Sequence, residues 1–260
     1  MIGYRSNKRI IQALLRPSTY RSAWNMLRFY TDPLDAIRRY VFGTGVYPTV
    51  IRGRAPVGVV DIHIFHPHDM QTINEVFCRR DYPVSTSALR IVDVGANIGI
   101  SAMYFLTQAP NAFVYLFEPL PANIERLKEN LKPFEGRYRL FPMAVFNRSG
   151  TVEFHTEPIG RYSQIATSEH QTDRQACIEV ECRHISEALR EIIEEAQGGI
   201  DLLKIDIEGL EEVVIEAIDI DLASSIGMII YETNRAGKVG VIKPSQRHGK
   251  ALIDRNEIET

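Results

Sequence analysis

Three groups of residues in this 260-residue chain have the types and spacing that chemistry uses. The first is Asp93-Val94-Gly95-Ala96-Asn97-Ile98-Gly99, where a short apolar run ends in glycines. Glycine lets backbone approach a bulky ligand, and the free N–H groups of a following helix start bind polar atoms. The second is Glu118, which closes the apolar run Val114-Tyr115-Leu116-Phe117 and precedes Pro119. A carboxylate at a second strand end, roughly 20 residues past a glycine turn, is placed to accept hydrogen bonds from a ribose diol. The third is Leu202-Leu203-Lys204-Ile205-Asp206-Ile207-Glu208, three charges at alternate positions of an apolar run. In an extended segment all three point to one side. Buried charge is costly unless paired or used.

The pattern narrows the ligand. A dinucleotide fingerprint requires G-x-G-x-x-G, but Asn97 stands where the middle glycine belongs and Ile100 where the third does. No G-K-[ST] follows, which excludes a Walker-type phosphate loop. Asp93 inside the first strand suits a positively charged ligand without a pyrophosphate, and S-adenosylmethionine is such a ligand. In the third group Lys204 can keep Asp206 ionised, and Asp206 can take a proton from an acceptor hydroxyl. Glu208, in the following turn, contacts acceptor or a cation, or caps the next helix. The alternative is that the trio is a structural ion-pair network beside the cofactor.

Taken together, Asp93 to Gly99, Phe117-Glu118-Pro119, Ala144-Val145 before Ser149-Gly150, and Leu203-Lys204-Ile205-Asp206-Ile207-Glu208-Gly209 resemble the FkbM family of S-adenosylmethionine-dependent methyltransferases. The resemblance runs in order over about residues 60 to 235. It implies a class I methyltransferase fold and methyl transfer to oxygen, often on a sugar, glycolipid or polyketide hydroxyl. The expected cofactor contacts come from Asp93, Gly95, Ala96, Asn97, Gly99, Glu118, Pro119 and Ala144, and the alternating charges assign the expected catalytic roles to Lys204, Asp206 and Glu208. No metal is expected. Two other classes stay open: a non-catalytic or impaired binding protein on the same fold, and an NAD-dependent oxidoreductase.

These residues need elements to hold them. Strand 91–94, helix 100–108, strand 113–117, helix 121–131, strand 138–145, strands near 151–155 and 178–182, helix 185–197, strand 200–206, helix 209–218 and strand 226–232 are predicted from apolar period and breakers. Repeated βα units imply a mostly parallel, Rossmann-like sheet with helices on both faces and ligands at the strands' carboxyl ends. Residues 156–177 are polar and without period, and are read as an acceptor-side lid. Lys238–Lys243 reads as one short strand, an abbreviated C-terminal edge. Upstream, residues 8–42 are expected to be helical and divided by Pro17 and Pro33, with Trp24, Leu27, Phe29 and Tyr30 on one face and Asp32 capping the second helix. This segment is expected to cover one side of the catalytic domain. Residues 46–68 are expected to form a β-hairpin. Asp69–Phe77 is expected to form a helix capped by Asp69. The cluster His63, His66, His68 and Asp69 lacks the spacing of a metal site.

Composition bounds the rest. A chain that is 45% hydrophobic supports one α/β domain with a core and an extension. The expected division is a basic helical extension over 1–55 and a methyltransferase domain over 56–260, its nucleotide-binding core about 90–235. Residues 1–54 carry ten Lys/Arg against two Asp/Glu, net +8, and the remainder carries 20 against 31, net −11. Such an arm pairs with the acidic body or meets an anionic membrane surface. Nucleic acid is not the expected partner; a small-molecule or glycan acceptor is, and an exposed sheet edge favours a homo-oligomer. Three cysteines without C-x-x-C spacing, no signal-peptide pattern and no apolar run of about 18 residues point to a cytoplasmic protein.

Overall fold

The computed structural model describes residues 17–156, 164–165, 176–207, 209–233 and 238–244. The chain divides into two units, Met1–Pro83 and Val84–Thr260. The division expected at residue 55 lies instead at the tip of a hairpin, where Ala55 pairs with Gly58.

The first unit contains helices α1 (Pro17–Phe29) and α2 (Pro33–Phe42), the antiparallel strands β1 (Thr49–Ala55) and β2 (Gly58–Ile64), and helix α3 (Asp69–Ile73), which runs into a π-helical turn, Asn74–Arg79. Proline occupies the first turn of α2, and the Asp32 carboxylate accepts the Asp35 N–H at 3.1 Å, so this cap is as expected. α1 buries Ser22, Met26 and Phe29, at i, i+4 and i+7. The Phe29 ring stacks on Phe77 with centroids 4.6 Å apart. Ser22 Oγ donates to Asn74 Oδ1 at 3.0 Å and Asn25 Nδ2 to the Cys78 carbonyl at 2.7 Å. Trp24 and Leu27, expected beside Phe29 and Tyr30, are exposed, because the helix turns them away from that seam. Asp69 serves the chain before its helix: Oδ2 accepts the N–H groups of Phe65 and His66.

The second unit is built on a six-stranded sheet. Its strands are β3 (Arg90–Val94), β4 (Phe113–Phe117), β5 (Tyr138–Phe141), β10 (Ile200–Ile205), β11 (Ile226–Thr233) and β12 (Lys238–Ile242), in the spatial order β12-β11-β10-β3-β4-β5. All neighbours are parallel except β11 and β12. Helix α4 (Ile100–Gln108) links β3 to β4, and α5 (Pro121–Leu131) leads from β4 towards β5. The mostly parallel sheet and the short edge strand β12 agree with the sequence expectation, and the structure shows that β12 runs antiparallel to β11. Asp201 pins the β3 entrance, its Oδ2 accepting the N–H groups of Leu89 and Arg90 at 2.8 and 2.9 Å.

The strand expected over 138–145 is two strands. β5 stops at Phe141 because Pro142 has no N–H to continue the ladder. The chain resumes as β6 (Ala144–Phe146) in a second sheet with β7 (Gly150–Thr156), β8 (Gln164–Ile165) and β9 (Ala176–His184), ordered β6-β9-β7-β8. Most of the segment read as a lid, 157–163 and 166–175, lies outside the described residues. Helix α6 (Ile185–Ala196) follows β9; α7 (Glu211–Glu216) and α8 (Ile220–Ala223) precede β11.

Strand alternation divides the six-stranded sheet into two faces. Val92, Val94, Leu203, Ile205, Ile229 and Tyr231 share a core with residues of α6 and α7. Full burial of each such aliphatic side chain contributes about 1.5–3 kcal/mol. Asp93 and Lys204 occupy the other positions of the alternation, and the first turn of α4 meets Asp93 there. Among the described residues no helix is long and apolar enough to cross a membrane.

Candidate active site

Parallel pairing of β3 with β10 sets Asp93 opposite Lys204. Both are buried, and Lys204 Nζ lies 2.9 Å from Asp93 Oδ1. Ser101 Oγ, from the first turn of α4, donates to Asp93 Oδ2 at 2.6 Å. Lys204 Nζ also donates to the Gly95 carbonyl at 2.8 Å and lies 3.4 Å from Asp206 Oδ2. An ammonium has three donors, and these partners use them. Burial acts against the Lys204 charge, but Asp93 and Asp206 outweigh it and hold its pKa above the ordinary lysine value. Burial raises the Asp93 pKa, and Lys204 and Ser101 oppose that rise. Asp93 is therefore committed to Lys204 and, at 0% exposure, presents no open carboxylate to a sulfonium ligand.

The turn from β3 into α4 is held from both sides. The N–H groups of Gly95 and Ala96 both donate to the Phe117 carbonyl at 3.0 Å, tying the turn to the end of β4. Gly95 has φ +79°, and a Cβ there would stand 1.9 Å from the Asp206 carbonyl oxygen. Gly99 has φ +84°, with Leu127 and Leu131 of α5 3.2 and 3.3 Å from where its Cβ would be. Asn97 also adopts positive φ, +47°. Asn130 Nδ2 of α5 donates to the Ile98 carbonyl at 2.9 Å. The glycines thus serve backbone conformation and close packing.

Glu118 lies under this turn. Its Oε2 accepts the Asn97 N–H at 2.9 Å, and its Oε1 accepts the Leu120 N–H at 3.0 Å and Asn123 Nδ2 at 3.3 Å. Burial pushes its pKa up to about 7, with the backbone and side-chain donors opposing the rise. A carboxylate offers roughly four lone-pair positions. The three internal donors leave one for a ribose hydroxyl, so the donor set fits a nucleoside at the carboxyl ends of β3 and β4. Pro119 is half-buried beside Glu118. Ala144 is buried on β6, paired with Cys182 of the second sheet rather than with the six-stranded one.

Asp206 is the first residue past β10. Its N–H donates to the Val94 carbonyl at 3.1 Å, and its side chain is 26% exposed, the accessible member of the Asp93–Lys204–Asp206 group. Glu208 lies outside the described residues. Sequence reasoning missed two residues. Glu211, buried at the start of α7, accepts the Ile207 and Gly209 N–H groups on Oε1 at 2.9 and 3.0 Å and so shapes the turn after Asp206. Burial raises its pKa, backbone donors oppose this, and nearby Asp206 adds to the rise. The other is Ser101. The available signals were an acid in one helix's first turn and a hydroxyl in the first turn of the helix that follows the glycines. Among the described residues no three metal-ligating side chains gather into a site.

The methyltransferase FkbM domain profile matches residues 93–242. Over 65 residues, 25% of this chain and 26% of its relative, the sequence is 42% identical to the 2-O-methyltransferase NoeI of Sinorhizobium fredii. Over 187 residues it is 27% identical to methyltransferase sdnD of Sordaria araneosa, covering 61% of this chain and 72% of that one. A crystal structure of an FkbM methyltransferase from Methylobacillus flagellatus aligns with TM-score 0.43 at 16% identity, over 63% of this chain and 38% of that chain. The matches to NoeI and to the crystal structure thus span about a quarter and about two fifths of those chains.

Proposed function

Because the chain belongs to the FkbM family of S-adenosylmethionine-dependent methyltransferases, we propose that it transfers a methyl group to a hydroxyl oxygen of a sugar, glycolipid or secondary-metabolite acceptor. Bound S-adenosylmethionine supplies a methyl group activated by a sulfonium. The chain's part is to hold donor and acceptor in line and to receive the hydroxyl proton. Glu118, under the turn that carries Asn97, takes the ribose. Asp206 accepts the proton of the acceptor hydroxyl. Lys204 positions Asp206, and Asp93 with Ser101 fixes Lys204.

The observation that carries this reading is the unequal access of the three charges. Asp93 and Lys204 are sealed, and Asp206 opens at the carboxyl end of β10, where ligands of parallel α/β sheets bind. The name of the relative NoeI supports oxygen as the methylated atom. The test is an acceptor screen with a labelled methyl donor, followed by chemical identification of the methyl ether. Asp206→Asn keeps the shape and removes the charge. It should lower kcat by roughly a hundredfold or more and leave S-adenosylhomocysteine affinity near that of the parent. Full turnover would remove the base assignment. Loss of cofactor binding would favour the second reading, in which the trio is a structural ion-pair network, a reading the buried Asp93–Lys204 pair also supports.

A further inference from the structure

Helices α1 and α2 turn the wrong face outward for domains surrounded only by water. In α1 the residues opposite the buried Ser22–Met26–Phe29 seam are Ala23, Trp24, Leu27 and Arg28, with Trp24 60% and Leu27 50% exposed. In α2 the buried residue is Ala36, and the opposite stripe, at i, i+4, i+7 and i+8, is Leu34, Arg38, Val41 and Phe42. Leu34 is 81% and Phe42 68% exposed. A surface helix of a soluble domain ordinarily directs such residues to its core and polar ones outward. Neither stripe contains an acid. Asp35, on the flank of α2, pairs with Arg39 at 2.6 Å.

We propose that these two stripes are a peripheral docking surface for an anionic lipid bilayer. Tryptophan, phenylalanine and leucine together with arginine are the chemistry of an interfacial helix: the rings and aliphatic groups enter the boundary region and the guanidinium groups meet the headgroups. The charge distribution selects this occupant. Residues 1–54, the segment that contains both stripes, carry net +8, so a negative surface attracts that segment. A second copy docked face to face would bring two such positive arms together, since a two-fold contact uses the same patch on both sides. Nucleic acid would satisfy the arginines and leave Leu34 and Phe42 in water. The inference rests on α1 and α2 and not on the methyl-transfer reading.

Trp24 is the single tryptophan of the chain, so the intrinsic fluorescence of the full-length protein reports on this surface. The experiment titrates the protein with phosphatidylcholine vesicles, with and without phosphatidylglycerol, and with brominated acyl chains as a depth quencher. The expected result is a blue shift and bromine quenching with the anionic vesicles alone, reversed by high salt. Each arginine at an anionic surface contributes about fivefold to partitioning, so R28A/R38A should weaken binding roughly 25-fold. L34A/F42A should lose binding at low salt as well. Both pairs are exposed, and an unchanged circular dichroism spectrum confirms that each variant is folded. Three results overturn the proposal: no spectral change with either vesicle, an equal change with neutral vesicles, or a blue shift that grows with protein concentration in the absence of lipid. The last would assign the surface to a second copy of the chain.

Discussion

At the residue scale the site contains two kinds of buried acid. Asp93 is held by an ammonium, whereas Glu118 is held only by neutral N–H donors. Burial raises the pKa of both, that of Glu118 to about 7 against 4.5 for an ordinary glutamate. A carboxyl whose pKa is higher in the folded than in the unfolded state contributes most to stability below the unfolded value. That contribution is lost as pH rises through the folded one. Stability supplied by Glu118 therefore declines from about pH 4.5 to about pH 7 in the ligand-free protein. Glu118→Gln cannot ionise, so the stability of the parent relative to this variant should fall by on the order of 3 kcal/mol between pH 5 and pH 8. Urea midpoints of both proteins at the two pH values measure it. A constant difference would mean that Glu118 is ionised throughout. The same substitution should weaken S-adenosylhomocysteine by about tenfold in calorimetry, the order of one charge-assisted hydrogen bond.

At the element scale the turn after β3 works as a joint between three elements. Its N–H groups hang on the end of β4, its carbonyl at Gly95 takes Lys204 of β10, and its last glycine packs on α5. Glycine at 95 is needed twice over, for its positive φ and for the nearness of the Asp206 carbonyl. Gly136 also has positive φ, +81°, but open space where a Cβ would go. Gly136→Ala should therefore cost only the backbone term, about 1–2 kcal/mol. Gly95→Ala should cost that and more, because the added methyl must push the β10 end away, and it should abolish S-adenosylhomocysteine binding. Equal losses in urea denaturation for the two variants would show that the close approach at Gly95 is not what requires the glycine. Glu211 plays a comparable part on the other side of Asp206, tying Ile207 and Gly209 into one turn.

At the scale of the whole molecule the chain divides into two units, and the family match begins at residue 93, inside the second. A chain shortened to begin at Val57 would cut the β1–β2 hairpin, whose turn lies at residues 56–57. A chain beginning at Val84 respects the division and should bind S-adenosylhomocysteine within about threefold of the parent, the scatter expected of an independent site. Insoluble or non-binding protein would show that the second unit requires the first. The basic arm then remains for association or for the lipid surface proposed above.

Much of the second unit was legible from its residues alone. Apolar runs, glycine turns and helical stripes placed the main strands and helices because local period and backbone freedom are written in adjacent residues. Alternation at Lys204 and Asp206 placed both charges on one side of β10 for the same reason. The partner of Lys204 was not legible, because Asp93 lies 111 residues upstream and only the parallel register brings them together. Nor was the condition of Glu118: its place at a strand end and its donors Leu120 and Asn123 are local, but its burial and the Asn97 N–H come from a turn that meets it only in the fold. The break at Pro142 was visible as a proline, yet that β6 leaves for a second sheet depends on pairing with β9, over thirty residues on. In α1 the 3.6-residue period was present without its phase, and packing of Phe29 on Phe77 decided that Trp24 faces out. Sequence determines what a segment can form, because that depends on neighbours in the chain. Which charges are sealed and which remain open depends on neighbours in space, which only the tertiary structure supplies.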